Sequence, residues 1–150
     1  MRAVVQRVRQ AFVVVDGQEI SRIGTGLCCL IGVEAHDGER DIDHIVRKIC
    51  GLRVFDDEQG AMNLDVGQIR GDILLISQFT LLGDARKGKR PSYSAAEQPA
   101  KAAELFQRVV EGITELHSGK VVTGRFQTMM DVHIVNHGPV TILLDSRKLF

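Results

Sequence analysis

Three stretches of the 150-residue sequence combine residue types that do chemistry. Ser77-Gln78-Phe79-Thr80-Leu81 follows directly on the apolar run Ile73-Leu74-Leu75-Ile76. Two hydroxyls, a carboxamide and backbone N–H groups freed where a strand ends can receive a carbonyl oxygen as negative charge develops on it. The same residues can equally do no more than satisfy backbone groups at a strand end. Asn136-His137-Gly138-Pro139-Val140-Thr141 is rich in turn formers, and propensity alone reads it as a tight hairpin between two strands. Its Gly–Pro bond is of the kind that adopts the cis form in tight turns. Arg86-Lys87-Gly88-Lys89-Arg90 is a concentrated run of cations. It is either a solvated charge run or a contact for phosphates, which position a nucleic acid without specifying its sequence.

The familiar catalytic templates are missing. There is no G-x-S-x-G elbow, Walker loop, G-x-G-x-x-G or H-E-x-x-H. The histidines are scattered, and His133 and His137 fall on an expected strand and the turn after it, so no metal site is expected. Cys28, Cys29 and Cys50 form neither a C-x-x-C pair nor an evenly spaced framework. They read as buried, reduced, hydrophobe-like thiols. No cofactor motif is present, and none is expected to be needed.

The elements that must position these stretches begin with β-branched runs at residues 2–8 and 11–15, followed by the hairpin signal Asp16-Gly17. The unbroken apolar run over residues 27–33 predicts a strand buried on both faces. Ile42, Ile45, Val46 and Ile49 lie on one helical face, which predicts a helix over residues 40–50 stopped by Gly51. A short strand is expected at 52–55 and a buried one at 73–76, then a polar loop over 83–95. A second helix is expected over 99–117, with Pro99 in its first turn and Leu105, Phe106, Val109 and Ile113 on its apolar face. Two final strands are expected at 121–135, broken near Gly124, and at 140–145. The fold class is α/β: β-rich mixed sheets in layers with two main helices, as one domain over residues 1–150. Lys and Arg total 19 against 19 Asp and Glu, which excludes a grossly basic, histone-like binder but not a local basic patch. No apolar run approaches the roughly 18 residues that cross a bilayer, and no secretory leader opens the chain, so no membrane association and a cytoplasmic location are expected.

The first two stretches resemble the S-Q-F-T-L and N-x-G-P-V-T signatures of the D-aminoacyl-tRNA deacylases, enzymes that check chirality in translation. The resemblance runs along the chain: Met1-Arg2-Ala3-Val4-Val5-Gln6-Arg7-Val8, Val14-Val15-Asp16-Gly17, Gly26-Leu27 with Gly32-Val33-Glu34, Leu52-Arg53-Val54-Phe55, Met62-Asn63-Leu64, Arg86-Lys87-Gly88 with Arg90-Pro91-Ser92, and Thr123-Gly124-Arg125-Phe126. The chain departs from the family pattern at Phe12, at Gln127 and Thr128 after Phe126, and at His137.

The resemblance implies hydrolysis of the ester between a D-amino acid and the terminal ribose of tRNA, in a pocket at Ser77, Gln78, Phe79 and Thr80. Backbone N–H groups near Phe79 and Thr80 would receive the carbonyl oxygen, and Gln78 would hold the terminal adenosine. Thr80 has no base partner in the sequence and an unassisted hydroxyl is a weak nucleophile, so the ribose 2′-hydroxyl is expected to help place the water. The resemblance further implies a homodimer in which cis Gly138-Pro139 enters the partner's pocket and rejects L-amino acids. Arg7 would hold that turn and Met130 would pack around it. Arg86, Lys87, Lys89 and Arg90 would contact the tRNA. Two rival readings use the same residues: a non-enzymatic RNA-binding or replication-associated module on the same fold, and a hydrolase of another small ester or amide.

Overall fold

The β-branched run that opens the chain forms one strand rather than two. In the computed structural model, which describes residues 1–149, β1 spans Arg2–Val15. Burial alternates through Ala3, Val5 and Arg7, slips phase at Val8 and resumes at Ala11, Val13 and Val15. Arg9 and Gln10, which look like a break in the sequence, are the exposed residues at this kink. The kink lets one strand serve two layers. Residues 2–8 pair antiparallel with β3 (Gly26–Gly32), and residues 11–15 pair antiparallel with β2 (Gln18–Ile23). The β1–β2 turn has positive φ at both Asp16 and Gly17, the conformation that the Asp-Gly pair favours.

The main sheet runs β2-β1-β3-β6-β7, with β8 (Asp131–Asp145) along the other edge of β1. β6 (Asp72–Ser77) is parallel to both β3 and β7 (Val121–Thr123). Parallel neighbours need long crossovers, and the two helices supply them: α1 (Glu39–Gly51) lies between β3 and β6, and α2 (Pro99–Leu116) between β6 and β7. A separate hairpin joins β4 (Phe55–Asp56) to β5 (Met62–Leu64). No described helix is long and apolar enough to cross a membrane.

Alternate residues of β3 and β6 feed two cores. Leu27, Cys29, Ile31, Ile73 and Leu75 pack with Ile42, Ile45 and Ile49 of α1 and Leu105, Val109 and Ile113 of α2. Cys28, Leu74 and Ile76 pack instead with Val8, Ala11, Val13 and Ile23. That is why these strands are continuous apolar runs: neither face meets water.

The sequence expectation fails at residues 136–141. They form no hairpin; β8 is one strand that pairs with β1 on both sides of the expected turn, with Gln6 opposite Thr141 and Val8 opposite Asn136. Residues 137–140 are extruded as a bulge opposite Arg7 alone, and a chain that bulges does not reverse. The strand expected at 52–55 shortens to Phe55–Asp56 because pairing with β5 begins only there. The strand expected at 121–135 stops at Thr123, where pairing with β6 ends, and the chain then runs on to β1, against which β8 begins at Asp131.

Candidate active site

β3 and β6 run parallel, so their C-terminal ends lie side by side, the edge of a parallel sheet where ligands bind. β6 ends at Ser77, and Phe79–Leu82 folds into one 3₁₀ turn. The Gln78 N–H donates to the Ile31 carbonyl at 2.7 Å and pins the start of the turn to β3. Gly32 allows this approach: a Cβ there would lie 2.5 Å from Leu82 Cδ2 and 2.9 Å from the Gln78 carbonyl. The first N–H groups of a helical turn have no partner within it. Those of Phe79 and Thr80 donate to no acceptor among the described residues. The Gln78 side-chain amide donates to Thr80 Oγ1. No imidazole or carboxylate hydrogen-bonds to Thr80 among the described residues.

The turn borders a cavity of about 670 Å³. Ile76 of β6 and Val33 just past β3 line it, with Pro99 and Ala102 from the start of α2, Phe126 and Met130 from the segment that joins β7 to β8, and Val132 from the start of β8. Gln127, Thr128 and Met129 line it as well, so two of the residues that depart from the family pattern are pocket residues. Met129 is 92% exposed, an apolar side chain left open beside the cavity. Ala96, Glu97, Pro99, Ala102, Phe126 and Met129 were not singled out as site residues. Phe126 stands in the Thr123-Gly124-Arg125-Phe126 stretch of the resemblance, but only the parallel pairing of β7 with β6 puts it at this end of the sheet. The Ala96–Glu97 wall had no such signal, since it is held by a Glu97 N–H bond to the Val33 carbonyl at 3.0 Å.

A single chain does not bring Gly138, Pro139 and Arg7 into this cavity. They form a second cluster on the β8 bulge. Arg7, 7% exposed, donates from Nε to the His137 carbonyl at 3.1 Å. Its Nη1 donates to the Val54 carbonyl at 2.8 Å and to Asp56 Oδ1 at 3.1 Å. The Gly138–Pro139 bond is cis, both residues are exposed, and Gly138 has φ +120°. A Cβ on Gly138 would meet Val140 Cγ2 at 2.9 Å and Arg7 Nη2 at 3.0 Å. Met130 lines the cavity; its Sδ accepts the Arg125 N–H at 3.2 Å. His137 is half-buried, with Nε2 3.3 Å from Arg9 Nη2.

The basic loop is closed by backbone bonds between Asp84 and Ser92. Arg86 grips the Asp84 carboxylate through Nε at 2.9 Å and Nη2 at 2.7 Å. This fork holds the Asp84 carboxyl well below the usual carboxylate range. Arg86 is thus neutralised locally, while Lys87, Lys89 and Arg90 are exposed. The loop connects to the 3₁₀ turn through Tyr93, whose ring stands edge-on to Phe79 at 5.2 Å. The three thiols are not part of the cavity, and burial pushes Cys28 up to about 12.

Comparison with known proteins bears on this arrangement. Residues 4–145 match the family model described as D-Tyr-tRNA(Tyr) deacylase. The D-aminoacyl-tRNA deacylase of Natranaerobius thermophilus is 53% identical over 150 residues, and that of Kosmotoga olearia 54% identical over 151, each aligned over the full length of both chains. A solved structure of a c-Myc DNA Unwinding Element Binding Protein superposes with a TM-score of 0.92 at 40% identity, covering 97% of this chain and 98% of that one. Since both the family model and these relatives extend across the strand-end cavity and the β8 bulge alike, the chain belongs to the D-Tyr-tRNA(Tyr) deacylase family.

Proposed function

We propose that the chain, acting as one unit over its whole length, hydrolyses the ester joining a D-amino acid to the terminal ribose of tRNA. The observation that carries this reading is the pair of N–H groups of Phe79 and Thr80 beside the cavity, which have no acceptor among the described residues. Two adjacent donors suit a carbonyl oxygen that gains negative charge as water adds to its carbon. The carbon–oxygen bond to the ribose then breaks, the ribose oxygen takes up a proton, and free amino acid and tRNA leave. Thr80 Oγ1 accepts from Gln78 and has no base beside it among the described residues, which supports a positioning role rather than a covalent one. Gln78 orients Thr80 and contacts the terminal adenosine. The substrate's 2′-hydroxyl places the attacking water. Lys87, Lys89 and Arg90 position the acceptor end through its phosphates, and Arg86 shapes their loop.

The active form on this reading is a homodimer in which the Gly138–Pro139 bulge of one subunit enters the other's cavity. Its exposure, its separation from the cavity of its own chain, and the exposed Val135 and Leu143 on the same strand support this. Met130 then meets the partner's bulge from inside the cavity. Main-chain carbonyls of the bulge occupy the direction an L side chain would take, while a D side chain points away. Rejection by rigid backbone discriminates more sharply than one added apolar contact, worth about 1–3 kcal/mol. Glycine carries hydrogen in both directions and escapes rejection.

The test is a parallel deacylation series on D-tyrosyl-, L-tyrosyl-, glycyl-, D-alanyl- and L-alanyl-tRNA. D-aminoacyl and glycyl esters are expected to be cleaved and the L esters spared. Equal cleavage of L-alanyl- and D-alanyl-tRNA would rule out the rejection mechanism. The 40% identical relative named for binding a DNA element favours a second reading, nucleic-acid binding without chemistry. In the same assay that reading requires tRNA binding with every ester left intact.

A further inference from the structure

We propose that the outer face of α1 is a second phosphate-binding surface for the tRNA substrate, separate from the 86–90 loop. The proposal rests on the deacylase reading above. Arg40, Arg47 and Lys48 of α1, with Arg53 just beyond it, line a groove of about 630 Å³. Among the described residues Asp43 is the one acid lining it, and His44 adds a further nitrogen donor. All four cations are exposed, and none makes an ion pair among the described residues.

This concentration is unusual within the molecule. The formal net charge is zero, and several cations elsewhere on the surface are paired, Arg22 with Glu19, Lys101 with Glu104, Arg108 with Glu39 and Arg147 with Glu34, so that beside Lys87, Lys89 and Arg90 of the basic loop this is a second cluster of cations unpaired among the described residues. The groove between α1 and α2 is of mixed sign instead, lined by Glu39, Asp43, Glu111 and Glu115 together with Arg47 and Arg108. Cations outnumber acids on the groove of Arg40, Arg47, Lys48 and Arg53, and acids outnumber cations on the groove that faces α2. Crowded like charges oppose the compact state, so the basic side is complementary to an anion that arrives from outside.

The groove fits a nucleic-acid backbone better than a folded protein partner. Among the described residues Leu52 is the one large apolar side chain lining it, and protein interfaces need an apolar core. Arg40 and Lys48 stand about 12 Å apart along the helix axis at ~1.5 Å per residue. A nucleic-acid strand advances about 3.4 Å per step, so the row spans several phosphates. The position also suits the substrate. Arg53 adjoins Val54, whose carbonyl is held by the same Arg7 that holds the His137 carbonyl. The groove thus ends beside the bulge that, in the proposed dimer, enters the partner's cavity. An acceptor end bound there continues onto this face.

The test uses the full chain carrying Arg40→Gln, Arg47→Gln and Lys48→Gln together, exposed changes that leave the Arg53 Nε bond to the Asn63 carbonyl intact. Two substrates are compared: full-length D-tyrosyl-tRNA, and 3′-D-tyrosyl-adenosine, which is too short to reach α1. The expected result is a KM for the full tRNA raised about tenfold with kcat unchanged, a salt dependence shallower by about two to three in log–log slope, and an unchanged KM for the short ester. An unchanged KM and salt slope for the tRNA would overturn the proposal, as would an equal loss on both substrates. Binding of uncharged tRNA, measured on the same proteins, reads the surface without chemistry. A wild type that binds tRNA through α1 but cleaves neither ester would remove the deacylase reading and leave the surface standing.

Discussion

Arg7 and His137 are joined across the β1–β8 pair, the Nε of the buried guanidinium donating to the His137 carbonyl at 3.1 Å. A second arm of the same guanidinium holds Val54, so one side chain ties the bulge to the segment after α1. Arg7→Gln removes charge-assisted bonds worth about 1.5–3 kcal/mol each at a buried site. The expected outcome is a lower urea midpoint together with a falling ratio of D- to L-tyrosyl-tRNA cleavage. Arg7→Lys, which cannot reproduce the planar fork, should restore stability in part and selectivity little. Undiminished selectivity in Arg7→Gln would show that Arg7 does not position the bulge.

Gly138 has φ +120°, and a Cβ there would press on Val140 and Arg7. Gly138→Ala should therefore displace the bulge at a cost of about 1–3 kcal/mol. L-alanyl-tRNA cleavage should rise, while D-tyrosyl-tRNA cleavage falls by less than tenfold. The pair of rates measured on one preparation decides it, because simple unfolding lowers both.

Thr80 accepts from Gln78 and has no base beside it among the described residues. Thr80→Ala should retain substantial hydrolysis, with kcat lowered by about 10–100-fold rather than the roughly million-fold loss that follows removal of a true nucleophile. A substrate with a 2′-deoxy terminal ribose should suffer more. A dead Thr80→Ala combined with a fully competent 2′-deoxy substrate would restore the covalent mechanism.

Neutralising Lys87, Lys89 and Arg90 should weaken tRNA binding alike for every amino acid. It should also flatten the salt dependence of binding, by close to one unit of log–log slope for every phosphate that is no longer neutralised. Arg86 should contribute less, since its guanidinium is engaged by Asp84. A change in D-versus-L preference would mean that the loop reaches the aminoacyl end instead.

Burial pushes the Cys28 thiol up to about 12 and raises Cys29 as well. Cys50, less buried, is raised by burial and then by Asp65. The thiolate is the reactive form, so at pH 8 iodoacetamide should label Cys28 and Cys29 on the order of a thousandfold more slowly in the folded protein than in denaturant. Cys50 should react first. Mass mapping of labelled peptides against time checks this, and equal labelling of all three would show that the β3 core opens to solvent.

Sequence alone determined the parts whose physics is local. Ile42, Ile45, Val46 and Ile49 mark α1 because helical period is a property of neighbouring residues, and all four are buried as that period requires. Asp16-Gly17 marks its turn because φ preference belongs to the residue itself. The runs at 27–33 and 73–76 announce strands with no wet face, and they lie between two cores. Ser77–Thr80 was legible as a strand end for the same reason. Only the tertiary structure decided the rest. Whether Asn136-His137-Gly138-Pro139 reverses the chain or bulges from a continuing strand depends on the strand it pairs with, and that partner, Arg7, is 130 residues away in sequence. Two strands expected before Asp16 became one because β1 is shared by β3, β2 and β8. Phe126 and Glu97 entered the cavity wall only when parallel pairing and the Val33 contact brought them there. Propensity acts through a residue's own torsions, whereas register, bulges and cavities are set by pairings between distant segments, which no local pattern encodes.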